Sequence, residues 1–193
     1  MSDSYIAWYR ERSTERDFAA LSEFLAEAGF SLEHPTLKTG ILLNVDGDQH
    51  RLPTEKIGPL VTAALAHLNV EWWRDADTDL TCSFSYEPLG VEIQNYSLDG
   101  LTRDEARDAA EAILAEVRRN PAETTALIID YDGRTADLDP DTFVLYEGRL
   151  RDLPDVIVAK QDLLDQVDGL DRAASTEEIG NGLRIVARVS AVS

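Results

Sequence analysis

A chain of 193 residues with 44% apolar content is long enough to bury about 70% of its unfolded surface around one core. That excludes global disorder and sets a single α+β domain over residues 1–193 as the expectation. Thirty-seven acidic against 18 basic residues leave a net charge of −19, a field that repels nucleic-acid phosphates and anionic lipid headgroups and attracts a basic protein or a cation.

Lys38, Lys56 and Lys160 are the only lysines, so arginine supplies fifteen of the 18 basic residues. A GC-rich genome or a salt-adapted proteome produces the same skew, which gives the acidity a competing origin with no partner implied. Cys82 is the one cysteine, so no intramolecular disulfide framework exists. The start Met1-Ser2-Asp3-Ser4-Tyr5 lacks the basic-then-apolar layout of a secretory signal, and no apolar run approaches the ~20 residues of a membrane-spanning helix. A cytoplasmic protein with no membrane contact is the expectation.

In chain order, Tyr5 to Tyr9 reads as an aromatic strand. Ser13-Thr14-Glu15-Arg16-Asp17 opens a helix over about 15–28, with Phe18, Leu21, Phe24 and Leu25 on one stripe and Gly29 as the stop. Ile41 to Val45 and Gln49 to Leu52 form a hairpin around Asp46-Gly47. Ile57, Leu60, Val61, Ala64, Leu65 and Leu68 mark a second helix over about 57–68, with Pro59 in its first turn.

Val70 to Trp73 is a strand, Asp75 to Asp79 an exposed loop, and Leu80 to Tyr86 pairs with Val91 to Tyr96 around Pro88-Leu89-Gly90. Thr102-Arg103-Asp104-Glu105 is a capping box that starts a third helix over 103–119, ended by Pro121. Thr125 to Ile129 is a buried strand; Thr142 to Tyr146 and Val156 to Ala159 are further strands. A short helical patch near 162–167, a helical turn at Ser175 to Glu178 and a final strand from Leu183 to Val192 complete the reading. The fold class is α+β: a mainly antiparallel sheet of about seven to nine short strands built from hairpins, with three principal amphipathic helices packed on it. The order hairpin, helix, strand occurs twice, at 41–73 and 80–129, without repeated side chains, and is read as ordinary α+β organisation.

Catalytic and cofactor signatures are absent: no G-x-S-x-G elbow, P-loop, dinucleotide fingerprint or H-E-x-x-H. Asp75, Asp77 and Asp79 alternate like the ligands of a calcium loop, but position six is Leu80 and position twelve is Tyr86; Asp137, Asp139 and Asp141 fail in the same way. His34, His50 and His67 lack metal-ligand spacing. Cys82 alternates with Leu80, Phe84 and Tyr86 and reads as a buried small side chain; as a nucleophile it would need His50 nearby in space. Glu71, Glu87 and Glu92 are candidate paired carboxylates of low specificity among so many acidic residues. No catalytic residue, metal or cofactor is therefore assigned.

Trp72 and Trp73 are adjacent on a strand and face opposite ways, so one enters the core while the other is available as an interface anchor. With the acidic rim of Asp75, Asp77 and Asp79 just beyond, these five residues form the candidate partner-binding site for an arginine- or lysine-rich protein. The expected function is a non-enzymatic binding protein, of the immunity or antitoxin kind, that occludes a basic partner. The alternatives are an enzyme whose site is assembled only by folding, and an assembly or regulatory subunit whose acidity is salt adaptation. The sequence leaves oligomeric state open.

Overall fold

The structure is a computed structural model that describes residues 4–63, 67–87 and 89–188. Strand β1 (Tyr5–Glu11) leads into helix α1 (Glu15–Glu27), followed by β2 (Gly40–Leu43), β3 (Gln49–Leu52) and α2 (Ile57–Ala63). Then come β4 (Leu68–Trp73), β5 (Asp79–Tyr86), β6 (Val91–Ser97), α3 (Arg103–Arg119) and β7 (Thr124–Asp130). The chain continues through α4 (Pro140–Leu145), β8 (Val156–Lys160), α5 (Gln161–Leu164), β9 (Ala173–Gly180) and β10 (Leu183–Arg188). The ten strands form one sheet in the order β3-β2-β4-β5-β6-β1-β7-β8-β10-β9. Every neighbouring pair is antiparallel.

Local chemistry explains the main helices. Thr14 caps α1 and Asp17 reaches back to the Thr14 N–H at 2.8 Å; Thr102 and Glu105 do the same for α3, also at 2.8 Å. Arg118 and Arg119 lie at the negative end of α3. The α1, α2 and α3 stripes cover one face of the sheet, which is closed by an aromatic cluster in which Trp72 lies 5.7 Å from Phe18 and 6.4 Å from both Phe84 and Tyr96.

Among the described residues the second face is covered only in part. Over β1, β7, β8 and β10 it is apolar, and Phe143, Leu150 and Leu153 from the segment before β8, with Leu164 and Val167 from the segment after it, pack against Ala7, Tyr9, Ile128, Ile157 and Val186. Over β4 and β5 the outward residues beside Trp73 are polar, and on β6 apolar Val91 and Ile93, which belong to the covered part, give way to polar Asn95 and Ser97.

The hairpin–helix–strand order recurs, but the pairing does not. β3 and β4 lie on either side of β2, so the first set is a split β-α-β unit. In the second set the strand between β6 and β7 is β1, borrowed from the start of the chain, and β5 lies outside it.

Several sequence expectations need correction. Thr142 to Tyr146 is not a strand: Asp139 accepts the Thr142 N–H at 3.0 Å and Pro140 occupies the first turn, so α4 forms there. Ser175 to Glu178 is not a helical turn but part of β9, the sheet's edge, where both faces are exposed and no apolar alternation marks a strand. The helix expected over 57–68 is described as α2 over Ile57–Ala63; Ala64 and Leu65 lie outside the described residues, and Leu68 is not helical but pairs with Phe84 as a strand residue. Gly58, Pro59, Val61 and Thr62 make this a poor helix former.

The Asp46-Gly47 hairpin is wider than a two-residue turn. Leu43 pairs with Gln49, Gly47 supplies a φ of 81°, and the Asn44 side chain accepts the N–H groups of Asp46 and Asp48 at 3.0 and 2.9 Å. Pro88 and the end of the expected last strand lie outside the described residues.

Candidate functional site

Trp72 and Trp73 separate as strand alternation demands. Trp72 has no exposed surface and donates its indole N–H to Ser22 Oγ at 3.4 Å, so any anchor at this dipeptide rests on Trp73. Trp73 is half-buried on the second face. Its ring lies 4.3 Å from that of His34, and its backbone exchanges hydrogen bonds with Ser31 at 2.6 and 2.8 Å. His34 Nδ1 accepts the N–H groups of Thr36 and Leu37 at 3.1 and 3.2 Å. The loop after α1 is thus bridged to the end of β4 and held against Trp73.

The three aspartates are spread along the β4–β5 turn, which is closed by the Arg74 N–H on Thr78 O at 2.9 Å. Asp75 is exposed and accepts the Asp77 N–H at 2.8 Å, a hydrogen bond that holds its carboxyl below the usual range. Asp77 is exposed. Asp79 lies on β5 directly opposite Trp73 and accepts from Thr81 Oγ1 at 2.6 Å. Arg74, the nearest cation in sequence, turns away to Asp108 at 3.2 Å and Glu105 at 3.3 Å on α3. Among the described residues, no group of three or more His, Cys, Asp or Glu side chains is placed to hold a metal ion.

The neighbours of Trp73 on the second face carry a signal that sequence reasoning missed. Asn69, Glu71 and Trp73 are successive outward positions of β4, and Asn69 Oδ1, Glu71 Oε2 and Trp73 Nε1 are each buried without a hydrogen-bond partner among the described residues. Burial and then the Asp79 carboxylate raise Glu71 to about 7. Thr81, Ser83, Ser85, Asn95 and Ser97 continue this face across β5 and β6, with His67 Nε2 2.6 Å from Ser83 Oγ.

At the boundary with the covered half, the Tyr5 hydroxyl and Thr135 Oγ1 lie 2.8 Å apart and the Tyr9 hydroxyl donates to Asp141 at 2.6 Å. Burial lifts the Tyr5 phenol to about 12. A cavity of about 390 Å³ opens there, between Tyr5, Asn95, Ser97, Ala136 and Pro140.

The other candidate groups stay apart. Cys82 is sealed in the helical face beside Tyr96, and burial pushes its thiol up. His50 shares its row, but three strand spacings, about 14 Å, intervene. Glu71 and Glu92 lie on opposite faces of the sheet, and Glu87 sits beyond the end of β5.

Glu92 belongs to a buried polar network that no motif announced. It accepts from the Ser13 N–H at 3.0 Å, Ser13 Oγ at 2.6 Å and Gln94 Nε2 at 2.6 Å, while the Tyr96 hydroxyl donates to Gln94 at 2.5 Å. Arg10, paired in register with Glu92, turns its guanidinium to Glu123 and Asp17. A polar cleft of about 490 Å³ lies over this network, lined by Thr14, Arg16, Asp17, Arg119, Asn120 and Glu123. The alternation in Val91-Glu92-Ile93-Gln94 suggests the reverse orientation, because Val91 and Ile93 face the second layer here and Glu92 and Gln94 face the helices.

No protein-family model matches this chain, and no curated protein matches it in sequence.

Proposed function

We propose that the chain is a non-enzymatic binding module for a basic protein, acting as an inhibitor of the immunity or antitoxin kind by covering its partner. The observation that carries this reading is the bare half of the second face. On this face the sheet is covered over β1, β7, β8, β10 and the Val91–Ile93 end of β6, and it is polar over β4, β5 and the Asn95–Ser97 end of β6, with Trp73 at the margin and Asp75, Asp77 and Asp79 on the adjoining turn. A net charge of −19 accelerates encounter with a cationic surface, and an aromatic anchor inside an acidic rim slows its departure.

The test is capture from native extract at low and moderate salt, followed by titration of the purified partner against Trp73→Ala and a triple Asp→Asn variant at 75, 77 and 79. Each is expected to weaken binding by about tenfold or more, as loss of an anchor or a charge set does. Unchanged affinity in both sinks this placement of the site.

The polar cleft over Arg10 and Glu92 favours a second reading, an enzyme with a dispersed site. Arg119→Ala and Asn120→Ala line the cleft without touching Trp73. A substrate turnover lost in both, with partner binding intact, would select that reading.

A further inference from the structure

A groove of about 490 Å³ runs between α1 and the turn that starts α2. Its floor is apolar, with Phe18, Ala19, Ala26, Leu32 and Pro59. Gly58 helps the floor to form: a Cβ there would meet the Phe18 ring at 3.1 Å, a tight contact that glycine avoids. Four glutamates, Glu15, Glu23, Glu33 and Glu55, line the same groove, and no lysine or arginine does. Lys38 meets Glu33 at 3.6 Å, with both side chains exposed; among the described residues the other three carboxylates make no ion pair.

Mutual repulsion among carboxylates around an apolar floor favours one kind of occupant. Hydrated cations gain nothing from the floor, and a neutral apolar chain gains nothing from the rim. A segment with an apolar stripe flanked by cationic side chains satisfies both. The groove lies within the usual size of a site for a few anchoring side chains.

One loop joins the groove to the surface already described. Ser31, Leu32 and Glu33 line the groove, and that same loop is bonded to Trp73 through Ser31 and meets its ring, tilted, through His34.

We propose that this groove is the docking site for a cationic amphipathic segment of the protein partner, an inference that rests on the basic-partner reading and names the part of the partner that is gripped. The apolar stripe lies on Phe18, Ala26 and Pro59, and arginine or lysine on either side reaches Glu15, Glu23 and Glu55.

The full chain is titrated with three labelled synthetic peptides: an amphipathic helix of leucine and lysine, a lysine peptide of equal charge without leucine, and an amphipathic helix of leucine and glutamate. Anisotropy reads affinity, and amide chemical shifts read the place of binding. The leucine–lysine peptide is expected to bind about tenfold more tightly than the lysine peptide, with shifts in α1 and residues 54–59, and the glutamate peptide not to bind.

Ala26→Trp, which fills the groove at an exposed position and leaves the charge unchanged, should weaken binding by about tenfold. A Glu→Gln triple at 15, 23 and 55 should weaken it and flatten its salt dependence. Equal affinity for the two cationic peptides, or native affinity in Ala26→Trp, overturns the groove as the site. Shifts confined to β4–β6 overturn the groove and leave the basic-partner reading standing. Absence of binding to every peptide at low salt overturns both.

Discussion

One row of the sheet's register holds both halves of the second face. It runs Asn69, Ser83, Asn95, then Ala7, Ile128, Ile157, Val186, each residue directly opposite the next on the neighbouring strand. The first three are polar and lie on the bare half. The last four are apolar and lie under Phe143, Leu150 and Leu153. Backbone pairing is continuous across the boundary, so what changes at β1 is which side chains exist to be covered. A chain that can cover half of a sheet with α4 and α5 has composed the other half for water or for a partner.

The comparison can be broken by substitution, beginning with the covered half. Phe143→Ala should cost about 3–5 kcal/mol, because a fully buried ring that closes the second layer leaves a cavity; denaturant midpoints measure it. Trp73→Ala, at the edge of the bare half, should cost about 2 kcal/mol, the smaller loss expected of a half-buried aromatic that also holds the 31–34 loop. A loss as large as that of Phe143 would mean that the bare half is core in disguise.

Glu71 sharpens the contrast through pH. Its folded-state value of about 7 lies above the 4.5 of the unfolded chain, so the folded protein keeps a proton that the unfolded chain releases. Stability from this group therefore falls as pH rises from about 4.5 through 7. Glu71→Gln should remove that fall and stabilise by about 1 kcal/mol at pH 8, after discounting for solvent screening at a partly exposed site. A pH profile of the denaturant midpoint reads it directly; parallel profiles for native and variant would contradict the burial of this carboxylate. The smallest effect belongs to Asn95→Val, on an exposed position of the same row, which should change stability by less than about 0.5 kcal/mol.

Much of the fold was legible because short-range chemistry and packing agreed. The Thr102 capping box, the α3 stripe and the terminating Pro121 all name the same helix, and Thr124–Asp130 is apolar enough to be a strand buried on both faces. Elements set by a single contact were not. Edge strand β9 has almost no buried side chain to betray its period, and α4 depends on one aspartate cap that an apolar run of Phe143, Val144 and Leu145 obscured.

For the site, alternation was enough to send the two tryptophans to opposite faces. It could not show which face would stay bare, because the covering residues lie some 50 or more positions further along the chain. The Asn69–Glu71–Trp73 stripe became a signal only once its unpartnered atoms were placed side by side.

Carboxylate labelling of the full chain, free and bound to its captured partner, tests the role of the bare half most directly. Glu71, Asp75, Asp77 and Asp79 should lose reactivity in the complex, while the exposed Asp162 and Glu178 at the far end of the sheet keep theirs. Protection at Asp162 and Glu178 with Glu71 and the aspartates unchanged would place the partner on the other half and contradict the reading.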